Sequence, residues 1–381
     1  MSAFTKFNLL PTIQETLAEK GFTEPTEIQA RALPALLGGK SVVGVAETGG
    51  GKTLAYALPI LHMLKSLENE GDRITVEGQP RAIVVVPTRE LGEQVSKVFK
   101  PFTHTTRLRV RTVLGGTTSE VAKKSVLGAF EVLVATPGRL IKFMDRKLLK
   151  LDDVRFLVFD EADQMLDQGF LPDATRISND CPPERQLALF SATISPTVQQ
   201  LINEMFEGAE VIRSEGHHRL VASLTTQNRQ VIHGNRFILL EEILKASANK
   251  KVTGGTLIFT NTRAQCDELA QQIEKKGLTC AIYRGEMDKV ERRANLKSFR
   301  DGKIELLVST DLASRGLDVE HVGRVINYHL PQQMENYIHR VGRTARAGRP
   351  GTVINFVTER DQPFIDQLGQ LEQREKPKKA K

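Results

Sequence analysis

The sequence predicts an α/β protein made of two parallel-sheet domains in tandem. Short apolar runs alternate with longer segments of helical period throughout the chain. Most of those runs are continuously apolar, as expected of strands buried on both faces. The length, 381 residues, exceeds one domain at ~150 residues each.

In the first half, strands are expected near 42–45, 82–86, 110–114, 132–135, 156–159 and 187–190. In the second half they are expected near 255–259, 280–283, 305–309, 324–328 and 352–356. The segment 53–67 reads as a helix, with Leu54, Leu58, Leu61 and Leu64 on one face. Residues 68–80 read as a surface excursion. The stretch 207–228, EGAEVIRSEGHHRLVASLTTQN, is polar and weakly periodic, so the domain junction is placed there. The resulting division is a first domain over 1–208, a linker over 209–227, a second domain over 228–372 and a basic tail over 373–381.

Composition narrows the class. Apolar residues at 40% and charged residues at 26% exclude a wholly disordered or collagen-like chain. Cys181, Cys266 and Cys280 are too few and too scattered for a disulfide framework or a zinc site, and read as reduced structural thiols. No apolar run approaches the ~18 residues of a membrane span and no leader pattern opens the chain, so a cytoplasmic location is expected. The net charge is +7, but +4 of it lies in the final REKPKKAK. The remaining +3 is too little to argue a polyanionic partner, so the placement of the arginines must do so.

That placement is informative, because ligands of open parallel sheets bind beyond the carboxyl ends of the strands. Nine predicted strands in turn are followed by small, hydroxylic or charged residues. The first such segment, Ala46, Glu47, Thr48, Gly49, Gly50, Gly51, Lys52, Thr53, reads as a phosphate cradle. Glycines let backbone N–H groups approach oxygen, and the helix that follows directs its positive end at the anion. Lys52 is placed to reach the β- and γ-phosphates and Thr53 to bind Mg²⁺, although Ala46 stands where the general pattern has glycine. The competing reading is a flexible glycine turn.

Asp160 and Glu161 end another apolar run. One carboxylate there can hold Mg²⁺ and the other can polarise an attacking water; alternatively the pair caps a helix. Gln29 has a carboxamide able to read adenine, with Phe4 or Phe22 to stack on the base. The bland alternative is a helix entry stapled by a phenylalanine. Late in the chain, HRVGRTARAGR carries four arginines. Arg343 and Arg346, three apart, are expected on one helical turn and could act on the γ-phosphate; a solvated face or a nucleic-acid patch is the alternative.

Taken together these segments resemble the DEAD-box family of ATP-dependent RNA helicases, over residues 4–358 and in the family's order. Asp160, Glu161, Ala162 and Asp163 match its name motif, residues 46–53 its phosphate loop, and 21–29 with Phe4 its adenine-reading motif, Thr26 included. The resemblance implies two RecA-like domains with ATP and Mg²⁺ in the cleft between them. It implies that Lys52, Asp160, Glu161, Arg343 and Arg346 are catalytic, that Thr53 and Asp160 hold the metal, and that Asp318 contacts ribose. RNA-contacting motifs are similar to Pro87, Thr88, Arg89; Gly115, Gly116; Thr136, Pro137, Gly138, Arg139; Arg263; Gly285; and Thr310. Ser191 and Thr193 match the motif that couples ATP use to strand separation, and His339 and Arg340 are implied to bridge toward the acidic motif.

Two departures stand out: Lys289 where the family often has Gln, and Ala345 where Gly is frequent, the latter read as a small-for-small exchange of little consequence. The implied activity is RNA-stimulated ATP hydrolysis with local, non-processive unwinding by a monomer. RNA-decay or ribonucleoprotein partners are possible under this reading, and membrane association is not expected. The competing classes are an ATP-gated RNA clamp and a duplex-DNA translocase.

Overall fold

In the computed structural model the described residues are 3–46, 49–116, 123–214, 224–247, 254–311, 322–345 and 350–374, without the side chains of 289, 335 and 370–374. The chain divides into two compact units, residues 1–217 and 218–381.

The first unit is built on seven strands: β1 (Val42–Val45), β2 (Ala82–Val85), β3 (Val110–Val113), β4 (Val132–Ala135), β5 (Phe156–Asp160), β6 (Gln186–Ser191) and β7 (Glu210–Arg213). They pair in parallel in the order β3-β4-β2-β5-β6-β1-β7. Alternate side chains leave opposite faces, so Ala82, Val84, Phe156 and Val158 enter one core layer and Ile83, Val85, Leu157 and Phe159 the other. This two-sided burial is why the strands appear as unbroken apolar runs. The helices Lys52–Asn69 and Arg89–Thr106 cover the first face, and Leu140, Met165 and Leu201, from three other helices, cover the second.

The second unit has six strands: β8 (Leu224–Gln230), β9 (Thr256–Thr260), β10 (Cys280–Tyr283), β11 (Leu306–Thr310), β12 (Arg324–Asn327) and β13 (Gly351–Val357). Their order is β10-β11-β9-β12-β13-β8, again parallel. One face packs Phe259, Leu307 and Val325 with Tyr337; the other packs Ile258, Val308 and Ile326 with Leu240 and Leu269.

Every expected strand is present, within a residue or two at each end. The expected linker over 209–227 is corrected, because β7 lies inside it and β8 begins inside it and runs on to Gln230. Both are edge strands, largely exposed and polar, so neither leaves an apolar run to read. Residues 215–223 lie outside the described residues. The three cysteines are free thiols, and burial pushes Cys181 and Cys266 up to about 12 and Cys280 up to about 11. No helix among the described residues is long and apolar enough to cross a membrane.

Candidate active site

The strand order sorts the first unit's candidate residues into two groups. Residues 46–53, 160–163 and 191–193 follow β1, β5 and β6, which are adjacent in the order β5-β6-β1. Residues 87–89, 115–116 and 136–139 follow β2, β3 and β4, adjacent in the order β3-β4-β2. The segments expected to serve ATP and its coupling thus follow one half of the sheet, and those expected to contact RNA follow the other.

In the first group, Gly49 and Gly51 have φ of +90° and +88°, and Gly51 begins the helix that carries Lys52 and Thr53. Gly51 admits no side chain: a Cβ there would sit 2.5 Å from Gln29 Nε2 and 2.8 Å from Thr26 Oγ1. Gln29 Nε2 donates to the Gly51 carbonyl at 3.0 Å, while its Oε1 accepts from Thr26 N at 3.0 Å. The amide closes the helix entry, as the alternative reading has it, and fastens that entry to the glycine loop. Phe4 is corrected as a stacking residue, since its ring is 1% exposed in the core and lies edge-on to Phe7. Phe22, at 39%, is the accessible ring. Glu47 and Thr48 lie outside the described residues.

Lys52 is buried, with Nζ donating to the Ala46 carbonyl at 3.0 Å. Asp160 is also buried, its oxygens accepting from Glu161 N at 2.9 Å and the Tyr56 hydroxyl at 2.7 Å. Burial pushes the Asp160 carboxyl up to about 6, despite the opposing pull of Lys52. A buried carboxylate whose burial outweighs the charge of Lys52 fits a divalent cation. Tyr56 stands on the helix that carries Lys52 and Thr53 and reaches Asp160 from there. Burial raises the Tyr56 hydroxyl well above its usual range, so it remains a donor. Sequence reasoning missed Tyr56; its position four residues after Lys52, on the same helix face, was the available signal.

Glu161 stands at the entry of the helix Ala162–Asp167, yet its carboxylate makes no capping bond. The capping alternative is therefore excluded for it. Its backbone is left-handed, φ +47°, a conformation costing of order 1 kcal/mol or more in a non-glycine residue. Asp163 is held on the other side: Oδ2 accepts from Ala192 N at 3.2 Å, Thr193 N at 3.0 Å and Thr193 Oγ1 at 3.1 Å, and Asp163 N donates to Ser191 Oγ at 3.2 Å. The acidic motif is thus joined to residues 191–193 through Asp163.

In the second group, Thr136 Oγ1 accepts from Gly115 N at 3.0 Å, and Thr88 Oγ1 caps its helix through Leu91 N at 3.3 Å. Pro87, Thr136 and Pro137 are buried, whereas Thr88, Arg89, Gly115, Gly116, Gly138 and Arg139 keep solvent access. Arg139 also lies over the Phe143 ring at 5.6 Å.

In the second unit, Arg263, Gly285 and Thr310 follow or end β9, β10 and β11, three adjacent strands. Arg263 is exposed and ion-paired with Glu286; Thr310 is buried. Arg340 differs from its expected bridging role. It is 1% exposed, and all five N–H groups are used inside its own unit. Nε and Nη2 bind Asp311 at 2.5 and 2.8 Å, Nη1 binds Asn327 Oδ1 and the His329 carbonyl, and Nη2 also binds Asn261 Oδ1. A guanidinium with no donor left cannot reach another motif without breaking this network.

The expected helical turn shared by Arg343 and Arg346 is also corrected. The helix Met334–Val341 stops before Arg343, and Ala345 is left-handed at φ +54°. The alanine for glycine exchange therefore has a backbone cost. Arg343 is buried and His339 half-buried; Arg346 and Asp318 lie outside the described residues.

The DEAD/DEAH box helicase family matches residues 26–201, and the helicase conserved C-terminal domain matches 235–348. The chain is 35% identical to the ATP-dependent RNA helicase CshA of Listeria monocytogenes, over 96% of this chain and 68% of that protein. It is 36% identical to the RNA helicase CrhR of Synechocystis, over 96% and 71%. Its structure is similar to that of S. cerevisiae Dbp5 bound to RNA and ADP BeF3, with a TM-score of 0.83 and 28% identity, over 98% of this chain and 93% of that one. The two domains are thus RecA-like, and the chain belongs to the DEAD-box family of ATP-dependent RNA helicases.

Proposed function

We propose that the first domain binds Mg²⁺·ATP along β5-β6-β1, and that hydrolysis drives local, non-processive separation of short RNA duplexes. The observation that supports this most is the convergence of Lys52, Asp160 and Glu161 on one half of the sheet edge, joined to residues 191–193 through Asp163. Lys52 exchanges the Ala46 carbonyl for the β- and γ-phosphates. Thr53 and Asp160 hold Mg²⁺, which neutralises charge on the phosphates. Glu161 orients the attacking water, its left-handed backbone turning the side chain away from a capping role. Gln29, with Phe22, reads the adenine. Asp318 is assigned to the ribose, and Arg343 and Arg346 to the charge that develops on the γ-phosphate.

RNA is assigned to the β3-β4-β2 edge and to Arg263, Gly285 and Thr310. Contacts of this kind go to phosphate and 2′-OH, so binding is sequence-independent and weakens as salt rises. The proposal includes a monomer acting in the cytoplasm on RNA or ribonucleoprotein.

The test is a single-turnover assay on a short RNA duplex with ATP, a non-hydrolysable analogue, or no nucleotide. RNA-stimulated ATPase activity with strand separation is expected. Stable retention of RNA without separation would favour the clamp, and equal activity on DNA of the same sequence would overturn the RNA assignment.

A further inference from the structure

Two inner strands of the second sheet each carry an asparagine in an otherwise apolar run: Asn327 ends RVIN on β12, and Asn355 lies within GTVINFV on β13. The neighbouring edge strand β8 supplies a third, Asn228. The register places all three on one rung, Asn327 beside Asn355 and Asn355 beside Asn228. Asn327 and Asn355 are fully buried, on the face where Val325 and Val353 pack with Tyr337.

A buried amide destabilises a fold unless it is hydrogen-bonded, and these are. Asn327 Nδ2 donates to Asn355 Oδ1 at 2.8 Å. Asn355 Nδ2 donates to Asn228 Oδ1 at 2.8 Å and to the Tyr337 hydroxyl at 3.0 Å. At the other end, Asn327 Oδ1 accepts from Arg340 Nη1 at 3.1 Å. The polarity of this ladder is set from that end. A guanidinium only donates, so Asn327 turns its oxygen to Arg340 and its nitrogen to Asn355. Asn355 must then present its oxygen to Asn327, which leaves its two N–H groups for Asn228 and Tyr337.

The ladder stops where the strands with RNA candidates begin. β12 pairs next with β9, where Phe259 stands opposite Asn327, and the Arg340 guanidinium lies over the Phe259 ring at 5.0 Å. The other donors of Arg340 hold two loops: Asn261, two residues before Arg263, and Asp311, next to Thr310. Asn261 Nδ2 is fastened as well, to the Leu330 carbonyl at 2.8 Å. One planar guanidinium thus holds the loops that carry Arg263 and Thr310, and its Nη1 edge rests on Asn327 and the His329 carbonyl. Apolar side chains of equal volume would fill this face without desolvating a polar group. A fully paired ladder instead specifies a single arrangement.

We infer that Asn327 and Asn355 are positioning residues for RNA binding by the second domain. They act through Arg340 on the loops that carry Arg263 and Thr310, so three strands without RNA candidates set the geometry of two that have them. The inference rests on the RNA-binding reading above.

The test uses the full chain and follows ATPase activity at saturating Mg²⁺·ATP against rising poly(U). Every variant is assayed below the onset of its own unfolding, so that lost stability alone does not move the result. Asn355→Leu nearly keeps the volume, removes the acceptor for Asn327 and leaves Arg340 and every candidate RNA contact unaltered. The poly(U) concentration at half-maximal rate should rise about fivefold, as the loss of one hydrogen bond allows. The kcat at saturating poly(U) and the KM for ATP should stay unchanged. Asn355→Asp restores the acceptor and should return the half-maximal concentration to within about twofold of the parent. If Asn355→Leu fails to fold, Asn228→Ala answers the same question from the exposed edge strand: it removes the ladder's last acceptor and should shift the concentration the same way by about twofold. A half-maximal concentration indifferent to Asn355→Leu and Asn228→Ala, or raised equally by Asn355→Leu and Asn355→Asp, overturns the inference and leaves the ladder a purely structural device. A parent whose ATPase poly(U) does not stimulate overturns the RNA reading itself.

Discussion

Two buried charged sites, one in each domain, are compensated in opposite ways. In the first, Lys52 rests on a backbone carbonyl, and burial pushes Asp160 up to about 6 against the pull of Lys52. In the second, Arg340 is equally buried, yet each of its donors has a partner and Asp311 binds it through two oxygens. A buried charge that its own domain leaves incompletely compensated marks a place for a ligand. A buried charge that is fully bonded marks architecture, even when it lies within a motif of catalytic residues. Motif membership alone would have placed Lys52 and Arg340 in one class.

Replacing Arg340 gives the largest contrast. Arg340→Lys cannot reproduce five donors, and it strands Asp311 and two asparagine oxygens. A loss of about 3–5 kcal/mol is expected in the second domain, seen as an early transition in thermal or urea unfolding. If stability were kept while ATPase activity disappeared, Arg340 would act on the nucleotide and the contrast would fail. Glu161→Gln is the converse test. Turnover should fall by at least ~10²-fold with ATP and RNA binding retained and the melting temperature unchanged. Unchanged ATPase activity would remove Glu161 from its assigned role.

Acid unfolding sharpens the comparison. His329 titrates near 4 when folded against 6.5 ordinarily, so the unfolded chain binds more protons between those limits. Its contribution to stability is complete above pH 6.5 and is lost as pH falls toward 4. His329→Asn should therefore flatten that part of the stability profile. A parent and variant of equal slope would show that the imidazole is not held neutral. Tyr56→Phe should destabilise the first domain by about 1 kcal/mol, through the lost bond to Asp160, and weaken Mg²⁺·ATP binding. The smallest effect runs in the stabilising direction: Ala345→Gly relieves a left-handed alanine and should add about 0.5–1 kcal/mol.

Much of this protein was legible in its sequence. The central strands stood out because burial on both faces demands unbroken apolar runs, a local requirement. The glycine loop, Lys52 and the acidic motif stood out because phosphate and metal chemistry need particular groups in short, contiguous segments. The edge strands β7 and β8 did not, since an exposed strand meets no such demand. Sheet order was equally hidden, and it alone divides the segments assigned to ATP on β5-β6-β1 from those assigned to RNA on β3-β4-β2. Which side chains are already bonded, as Arg340 is to residues 11 to 79 positions away, depends on contacts between segments remote in the chain. Sequence determines the chemical groups and the local pattern that carries them; tertiary structure decides which of those groups neutralise one another and which are left for a ligand.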